Sequence, residues 1–298
     1  MGTPEFAVAS LNALVTAGFN VVGVITAPDK PAGRGLNPQE SAVKKYALEN
    51  GLKLLQPEKL KNPEFLKELA ALEADLQVVV AFRMLPEVVW NMPEMGTINV
   101  HASLLPKYRG AAPINWAIIN GEKETGVTTF KLKHEIDTGD ILLQDKISIG
   151  ENDTAGEVHD KIKMVGAELL VQTIKRLAHK TLRETPQTGF DKELKHAPKI
   201  FTETCKVDWT KSTTEIYNLI RGLSPYPAAF TELNGKKLKI YSAEKEFARA
   251  SANDVKTDNK TFLKFACSDG YIHIKELQLE GKKKMSVEDF LRGYKFPS

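Results

Sequence analysis

The sequence predicts an α/β fold in two parts, a doubly wound, mostly parallel, Rossmann-like sheet followed by an OB-like β-barrel. In the first half, short β-branched runs alternate with segments of helical spacing, an alternation typical of parallel sheets. In the last third, short strands follow one another through tight turns. Between the two patterns lies a polar stretch containing Pro186, Gly189 and Pro198. We therefore predict an α/β domain over residues 1–180, a linker over 181–200 and a barrel domain over 201–298.

The elements of the first half follow from capping residues and periodicity. Thr3 is predicted as the N-cap, and Pro4 as the first residue, of a helix that continues to Val15. Thr154 is predicted to cap a long helix that runs to about His179. Further helices are predicted over residues 41–48 and 65–72, and strands over 21–25, 76–82, 97–100, 126–130 and 141–143.

The last third reads as a helix and two hairpins. The helix is predicted over residues 213–221, and the hairpins turn at Asn234-Gly235 and Asp269-Gly270, since Asn-Gly and Asp-Gly are strong hairpin signals. Their strands are predicted over residues 230–233, 237–241, 261–266 and 271–279. Short strands with basic side chains are typical of OB-type barrels, which commonly bind nucleic acid.

Length and composition limit the class of protein. With 298 residues, 42% of them hydrophobic, the chain is long enough for two cores. We find no apolar run of membrane-spanning length and no basic-then-apolar signal segment, so we expect a cytoplasmic protein. Cys205 and Cys267 have neither CxxC spacing nor paired histidines nearby. They are therefore predicted to pack in a core, with no disulfide and no metal site.

Charge is distributed unevenly along the chain. Residues 199–298 contain 18 Lys and Arg against 13 Asp and Glu, whereas the first 198 residues have a net charge of −2. A basic C-terminal part favours a polyanionic partner. The excess is modest, and a solvated basic surface would have the same composition.

Three polar residues carry the predicted chemistry. Ile98-Asn99-Val100-His101 alternates apolar and polar residues, so at a strand end Asn99 and His101 project from one face. Asp137 opens the sequence DTGD. An amide donor, an imidazole and a carboxylate together can stabilise an oxyanion while a proton moves, as acyl transfer without a covalent intermediate requires. Taken singly, the histidine is more often structural and the asparagine a turn former.

The run NVHASLLPKYRGAAPINWAIINGEKETGVT, followed by DTGD, resembles the signature of the folate-dependent formyltransferases. Within that family, RGAAPI, PDKPAGRG and GKKKMS are similar to motifs of the members that act on methionyl-tRNA. The resemblance spans nearly the whole chain. It implies a catalytic domain, a C-terminal tRNA-binding barrel, and transfer of a formyl group from 10-formyltetrahydrofolate to the α-amino group of methionyl initiator tRNA for translation initiation. We expect a monomer.

The resemblance also implies roles for individual residues. Asn99 and a protonated His101 would donate to the formyl oxygen, and Asp137 would favour the charged ring and accept the amine's proton through water. Asp140 is a secondary candidate, with a turn carboxylate as the alternative. The residues implied to line the folate are Phe82, Arg83, Met84, Leu85, Ser103, Leu104, Leu105 and Pro106. From the residues alone, Leu104 and Leu105 would be assigned to core packing.

The tRNA contacts are implied at two places. The loop PDKPAGRG (28–35), rich in Pro, Gly and charge, is predicted to be exposed. It lacks the third glycine of a dinucleotide fingerprint, and in the family it enters the acceptor end of the tRNA. The candidate contacts are Lys30, Arg34, Arg109, Lys236, Lys237, Lys282, Lys283 and Lys284. The lysine runs are otherwise explained as solvated faces.

The sequence departs from the family pattern at one point, and it leaves three alternative functions open. In the family a strand precedes the GTPEFA turn; here that first strand is expected to be missing and Met1 to be an internal residue of a longer protein. The missing strand makes an inactive folate- or tRNA-binding relic one alternative. A second is a formyltransferase for another amine, such as glycinamide ribonucleotide. Enzymes that act on nucleotide sugars, the third, are expected to need an additional dehydrogenase domain, for which this chain has no room.

Overall fold

The computed structural model of the chain describes residues 1–32, 37–188, 194–249 and 254–296. It forms two compact units. The first comprises Met1–Arg109, Gly126–Ile147 and Asp160–His196, and the second comprises Gly110–Thr125, Ser148–His159 and Ala197–Ser298. Each unit is therefore built from three separate stretches of chain, and the domain limits at 180 and 200 stay a prediction.

The elements up to the first long helix alternate between helix and strand. In chain order they are α1 Glu5–Thr16, β1 Val24–Ile25, β2 Lys30–Ala32, β3 Asn37–Gln39, α2 Ala42–Glu49, β4 Leu54–Leu55, α3 Pro63–Ala70, β5 Gln77–Val80, α4 Glu87–Trp90, β6 Thr97–His101, β7 Arg109–Gly110, α5 Pro113–Ile119, β8 Glu124–Lys131, β9 Ile141–Ser148 and α6 Ala155–Ala178. The α/β class is confirmed.

Asn99 and His101 lie on β6, in the sheet with the order β5-β6-β8-β9. β5 pairs with β6 in parallel, as predicted. The strand predicted over residues 126–130 extends this sheet as β8, which pairs with β6 antiparallel, so the sheet is mixed at this edge. In an antiparallel pair the second strand begins beside the end of the first, so β8 enters the sheet at the end where β6 leaves it.

Local capping explains where the early helices begin. The Ser41 hydroxyl accepts from Lys44 N at 3.0 Å at the start of α2, and Asn62 caps α3 with Pro63 following it. The cap predicted for α1 is wrong by one residue, because Pro4 occupies the N-cap position and no side chain caps the helix.

Met1 and Gly2 occupy the gap between β1 and β5. Gly2 N donates to Ile25 O at 3.0 Å and Val80 N donates to Met1 O at 2.9 Å. The Met1 amino group donates to Val78 O at 2.7 Å, and burial lowers its pKa to about 5. Beside them lies an apolar cavity of about 410 Å³. Gly2 also forms an isolated parallel bridge with Val80, so Met1 and Gly2 contact both neighbouring strands through their main chain.

The remaining elements belong to the second unit, apart from β10, which begins at its boundary. They are β10 His196–Ala197, a 3-10 turn at Glu203–Cys205, α7 Thr213–Leu223, β11 Ala229–Leu233, β12 Lys236–Phe247, β13 Val255–Thr257, β14 Leu263–Cys267, β15 Gly270–Leu279, β16 Met285–Ser286 and α8 Val287–Gly293. The antiparallel sheet has the order β11-β12-β15-β14-β13, with β16 on β15. This barrel-like sheet agrees with the predicted C-terminal domain.

The turns of this sheet follow local chemistry. Asn234 and Gly235 have φ of 49° and 72°, as a type I′ hairpin turn requires. Cys267 pairs with Gly270, so the second turn is Ser268-Asp269, one residue earlier than predicted. The register of β12 shifts between Ile240 and Ala243, and such a bulge bends a long strand.

The second unit has a core of its own around α7. Ser212 and Glu215 form a capping box at its start, and Ile216, Ile220 and Leu223 pack against the sheet. Cys205 and Cys267 are free thiols in this core, as predicted. No helix in the described part of the chain is long and apolar enough to cross a membrane.

Candidate active site

The candidate site lies where β6 ends. Ile98 and Val100 are buried in the sheet, while Asn99 is half-buried and His101 is 7% exposed. Because strand side chains alternate, Asn99 and His101 face the same side, as the sequence predicted. Within the described residues the Asn99 side chain has no hydrogen-bond partner, so its amide is available to a ligand.

The imidazole of His101 lies between two protein groups. Its Nε2 is 2.9 Å from Tyr108 O in a buried contact, and a carbonyl can only accept, so Nε2 carries a proton and donates it. Its Nδ1 is 3.8 Å from Asp137 Oδ2, too far for a direct hydrogen bond. The ring also meets Phe130 edge-on at 6.3 Å between centroids. One ring nitrogen is therefore fixed, and the other faces a carboxylate across a short gap.

Asp137 reaches this position from a turn 36 residues further along the chain. Its φ is 55°, and its side chain is 12% exposed. Asp140 lies in the same turn but forms an ion pair, because Lys133 Nζ donates to its carboxylate at 2.9 Å. The structure thus brings Asp137 to His101, and it pairs Asp140 with a lysine.

Hydrogen bonds to main-chain groups hold the segment after His101 in place. The Ser103 hydroxyl donates to Lys107 O at 2.7 Å. Thr128 Oγ1 accepts from Leu105 N and donates to Ser103 O, and Gln144 Nε2 donates to Leu105 O at 2.8 Å. Leu105 is buried against Phe130, whereas Leu104 is half-buried. Of the residues predicted to line the folate here, Leu104 is the more accessible leucine and Leu105 is in the core.

Of the four predicted folate residues in the loop after β5, two pack in the core and two are exposed. Phe82 and Leu85 pack in the core beside β5. The Arg83 guanidinium donates to Pro57 O and, at 2.8 Å, to Glu58 O, which tethers the loop. Met84 is 75% exposed. The arginine head therefore holds the loop in place, and Met84 is the accessible side chain.

The predicted tRNA contacts lie in different surroundings. Arg34 lies outside the described residues, and Lys30 lies in β2. The Arg109 guanidinium bonds to Gln187. In the second unit, hydrogen bonds between Lys237 and Glu280 join the β11–β12 turn to the turn after β15. We call the lysines at these two turns the barrel-end lysines: Lys236, Lys237, Lys282, Lys283 and Lys284.

Two residues of the site were missed by sequence reasoning. Tyr108 supplies the carbonyl that holds His101, and Gln187 bonds to the Asp137 turn. A main-chain carbonyl leaves no mark in a sequence. Gln187 is a lone amide in a polar stretch without periodicity, so the only available signal was its place after Pro186. Among the described residues, no group of three or more His, Cys, Asp or Glu side chains could hold a metal ion.

Comparison with protein-family models gives two matches. The model "Formyl transferase" matches residues 1–174, and "Formyl transferase, C-terminal domain" matches residues 199–295. The methionyl-tRNA formyltransferase of Parabacteroides distasonis is 56% identical over 306 residues, covering 99% of this chain and 94% of the relative. That of Flavobacterium johnsoniae is 52% identical over 301 residues, with 99% and 95% covered.

Solved structures share the fold at low identity. An N-formyltransferase from Helicobacter canadensis, in complex with folinic acid and dTDP-3-aminofucose, has a TM-score of 0.69 at 23% identity, covering 95% of this chain and 97% of its own. HypX from Aquifex aeolicus in complex with tetrahydrofolic acid has a TM-score of 0.60 at 20% identity, with 82% and 43% covered. Since the first is covered almost completely, the prediction that such sugar enzymes need an additional domain is wrong.

Proposed function

Because the chain belongs to the formyl transferase family, we propose that it transfers the formyl group of 10-formyltetrahydrofolate to the α-amino group of methionyl initiator tRNA, for translation initiation in the cytoplasm. The observation that carries the proposal is the approach of Asp137 to His101 beside the available amide of Asn99, in a chain aligned over 99% of its length with methionyl-tRNA formyltransferases. The Asn-His-Asp set suits transfer to an amine without a covalent intermediate.

The two loops beside β6 are suited to a flat folate ring. The loop after β5 is tethered by Arg83 and exposes Met84, and the 103–106 segment is held by Thr128 and Gln144. Small-molecule sites are usually preformed and are lined by apolar side chains together with a few main-chain polar groups. When bound, the folate supplies the formyl group; the rest of the chemistry falls to side chains of this chain.

Asn99 stabilises the negative charge that develops on the formyl oxygen. A positioned N–H donor of this kind lowers the barrier by roughly 2.7 to 4 kcal/mol. Its strand position holds the amide in place, since Ile98 and Val100 on either side are buried.

His101 assists through Nδ1. The bond from Nε2 to Tyr108 O fixes the ring, and the 3.8 Å gap to Asp137 leaves Nδ1 without a close partner. When the ring is protonated, its Nδ1–H donates a charge-assisted bond to the formyl oxygen. Asp137 balances the positive charge of the ring across the gap.

Asp137 also accepts, through water, the proton that the amine loses on attack. The proton is returned to the folate nitrogen that leaves when its bond to the formyl carbon breaks, so the products are the formylated amine and tetrahydrofolate. The ordinary pKa of an α-amino group is about 8, so much of the acceptor is neutral near pH 7 and no strong base is required. One carboxylate can therefore serve both the ring and the amine.

The test is a direct assay of acceptors. The protein is incubated with 10-formyltetrahydrofolate and, separately, charged initiator tRNA, glycinamide ribonucleotide or a dTDP-amino sugar. We expect formylmethionyl-tRNA and no formylation of the two small acceptors. Formylation of a small acceptor with the tRNA untouched would contradict the acceptor, and no formylation of any would contradict the activity.

A further inference from the structure

Gln187 uses all the hydrogen-bonding capacity of its side chain within the site. Its Nε2 donates to Asp137 O at 3.0 Å and to Gly139 O at 2.7 Å. Its Oε1 accepts from Arg109 Nε at 3.1 Å and from Nη2 at 2.8 Å. A primary amide has two N–H donors and two acceptor positions, and here all four are used.

The two donated bonds fix the turn that carries Asp137. Asp137 has a left-handed backbone, with φ of 55°, and a non-glycine residue keeps such a conformation where its surroundings hold it. Gly139 lies so close to β8 that a Cβ would come within 1.5 Å of Lys131 O. Gln187 on one side and β8 on the other therefore restrict the main chain from which the Asp137 carboxylate extends.

The accepted bonds reach the other side of His101. Arg109 follows Tyr108, whose carbonyl receives the His101 Nε2 proton and whose own φ is 61°. Gln187 therefore contacts the turn that faces Nδ1 and the residue next to the carbonyl that holds Nε2. The interactions form a closed ring through His101, Tyr108, Arg109, Gln187 and Asp137.

We propose that Gln187 is a positioning residue, which sets the separation of Asp137 from His101 and the direction of the Arg109 guanidinium. The inference rests on the proposed function, in which Asp137 and His101 act together. Glutamine is required because the site needs two donors and two acceptors: glutamate lacks the donors, leucine lacks both, and asparagine is one methylene shorter. The two bonds from Arg109, which both end on Gln187 Oε1, also set the direction of its guanidinium, a candidate contact for a tRNA phosphate.

The first test compares two substitutions at this position with a neighbouring control. Gln187→Glu keeps an acceptor for Arg109 but faces two carbonyls with a carboxylate, and Gln187→Leu removes all four bonds. We expect each to lower kcat by roughly ten- to a hundredfold, because small misplacements of catalytic groups have effects of that order. KM for folate should stay within about twofold. Thr188→Ala, at the next, exposed residue, should leave both constants unchanged.

A double-mutant cycle with Asp137→Asn separates positioning from general destabilisation. If Gln187 acts through Asp137, Gln187→Leu should cost little in the Asp137→Asn background, whereas independent effects multiply. Unchanged kcat in both Gln187 variants, or full multiplication in the double variant, would overturn the inference. If Asp137→Asn itself leaves turnover intact, the fault lies in the proposed function. Folate binding and Tm, measured for every variant, identify one that has failed to fold.

Discussion

The site around His101 and the barrel-end lysines are built in opposite ways. At the site, His101 is nearly buried and bonded to a main-chain carbonyl, and the Asp137 turn is bonded to Gln187. At the barrel end, Lys236, Lys282 and Lys283 are exposed. Lys284 pairs with Glu276 at 2.7 Å, and the Lys237 ammonium lies 4.4 Å from the centre of the Phe230 ring.

This difference follows from what each region is expected to do. Transition-state stabilisation depends on donors and charges held within fractions of an ångström. Attraction of a polyanion depends on how many cations are near it, and long flexible side chains serve that purpose. Changes at the site should therefore affect turnover, and changes at the barrel end should affect affinity and its salt dependence.

The largest effect is expected at the site. His101→Ala and Asp137→Asn should each lower turnover by at least about a hundredfold, because they remove charge that acts in the transition state. Single-turnover kinetics and folate titration measure the two parts separately, and folate affinity should be nearly unchanged. His179→Ala, on an exposed residue after α6, is the matched control. A loss confined to substrate affinity would contradict the roles given to these residues.

The loop predicted at residues 28–35 should show an intermediate effect. Arg34→Ala is expected to raise KM for tRNA by roughly tenfold, since one charge-assisted bond to phosphate is worth about 1.5 kcal/mol. KM for folate should not change. Arg34→Lys keeps the charge and should recover part of the loss. Equal KM values for wild type and the alanine variant would remove Arg34 from the tRNA site.

The barrel-end lysines should change the salt dependence of binding. Replacing Lys282, Lys283 and Lys284 with glutamine should flatten the plot of log affinity for tRNA against log salt, by at most roughly 0.7 to 0.9 for each tRNA phosphate that these lysines neutralise. Replacing Lys59, Lys61 and Lys67, three exposed lysines of the first unit, removes the same charge elsewhere. An unchanged slope in the first triple variant, or equal slopes in both, would leave the barrel end as a solvated surface.

The smallest effect concerns a charge that supports the fold of the second unit. Hydrogen bonds from the Thr213 hydroxyl and amide hold the pKa of Asp269 below its ordinary value. The stabilisation is therefore present above the ordinary pKa and is lost as pH falls through the lowered one. Asp269→Asn should lower the free energy of unfolding by at most about 1 kcal/mol at pH 7. It should also reduce the loss of that free energy as the pH falls toward 3. Urea unfolding between pH 7 and pH 3 measures both, and tRNA affinity should not change.

Much of the fold was predictable because it depends on neighbours in sequence. Ser41 and Ser212 cap their helices through bonds to residues three positions on. Asn234-Gly235 turns a hairpin with positive φ at both residues. The alternation at Asn99 and His101 places both on one face, because strand geometry alone requires it. Capping, turn chemistry and strand alternation are local, so the sequence determined these features by itself.

Tertiary structure decided what depends on contacts distant in sequence. Asp137 meets His101 from 36 positions away, and Gln187 reaches the Asp137 turn from 50 positions away. The antiparallel pairing of β8 with β6 also depends on residues distant in sequence, and so does the assembly of each unit from three separate stretches of chain. No periodicity or local propensity marks a carbonyl, an amide or a turn for a partner so far along the chain. Such partners are selected by the free energy of packing the whole unit, in which each buried polar group needs a hydrogen bond.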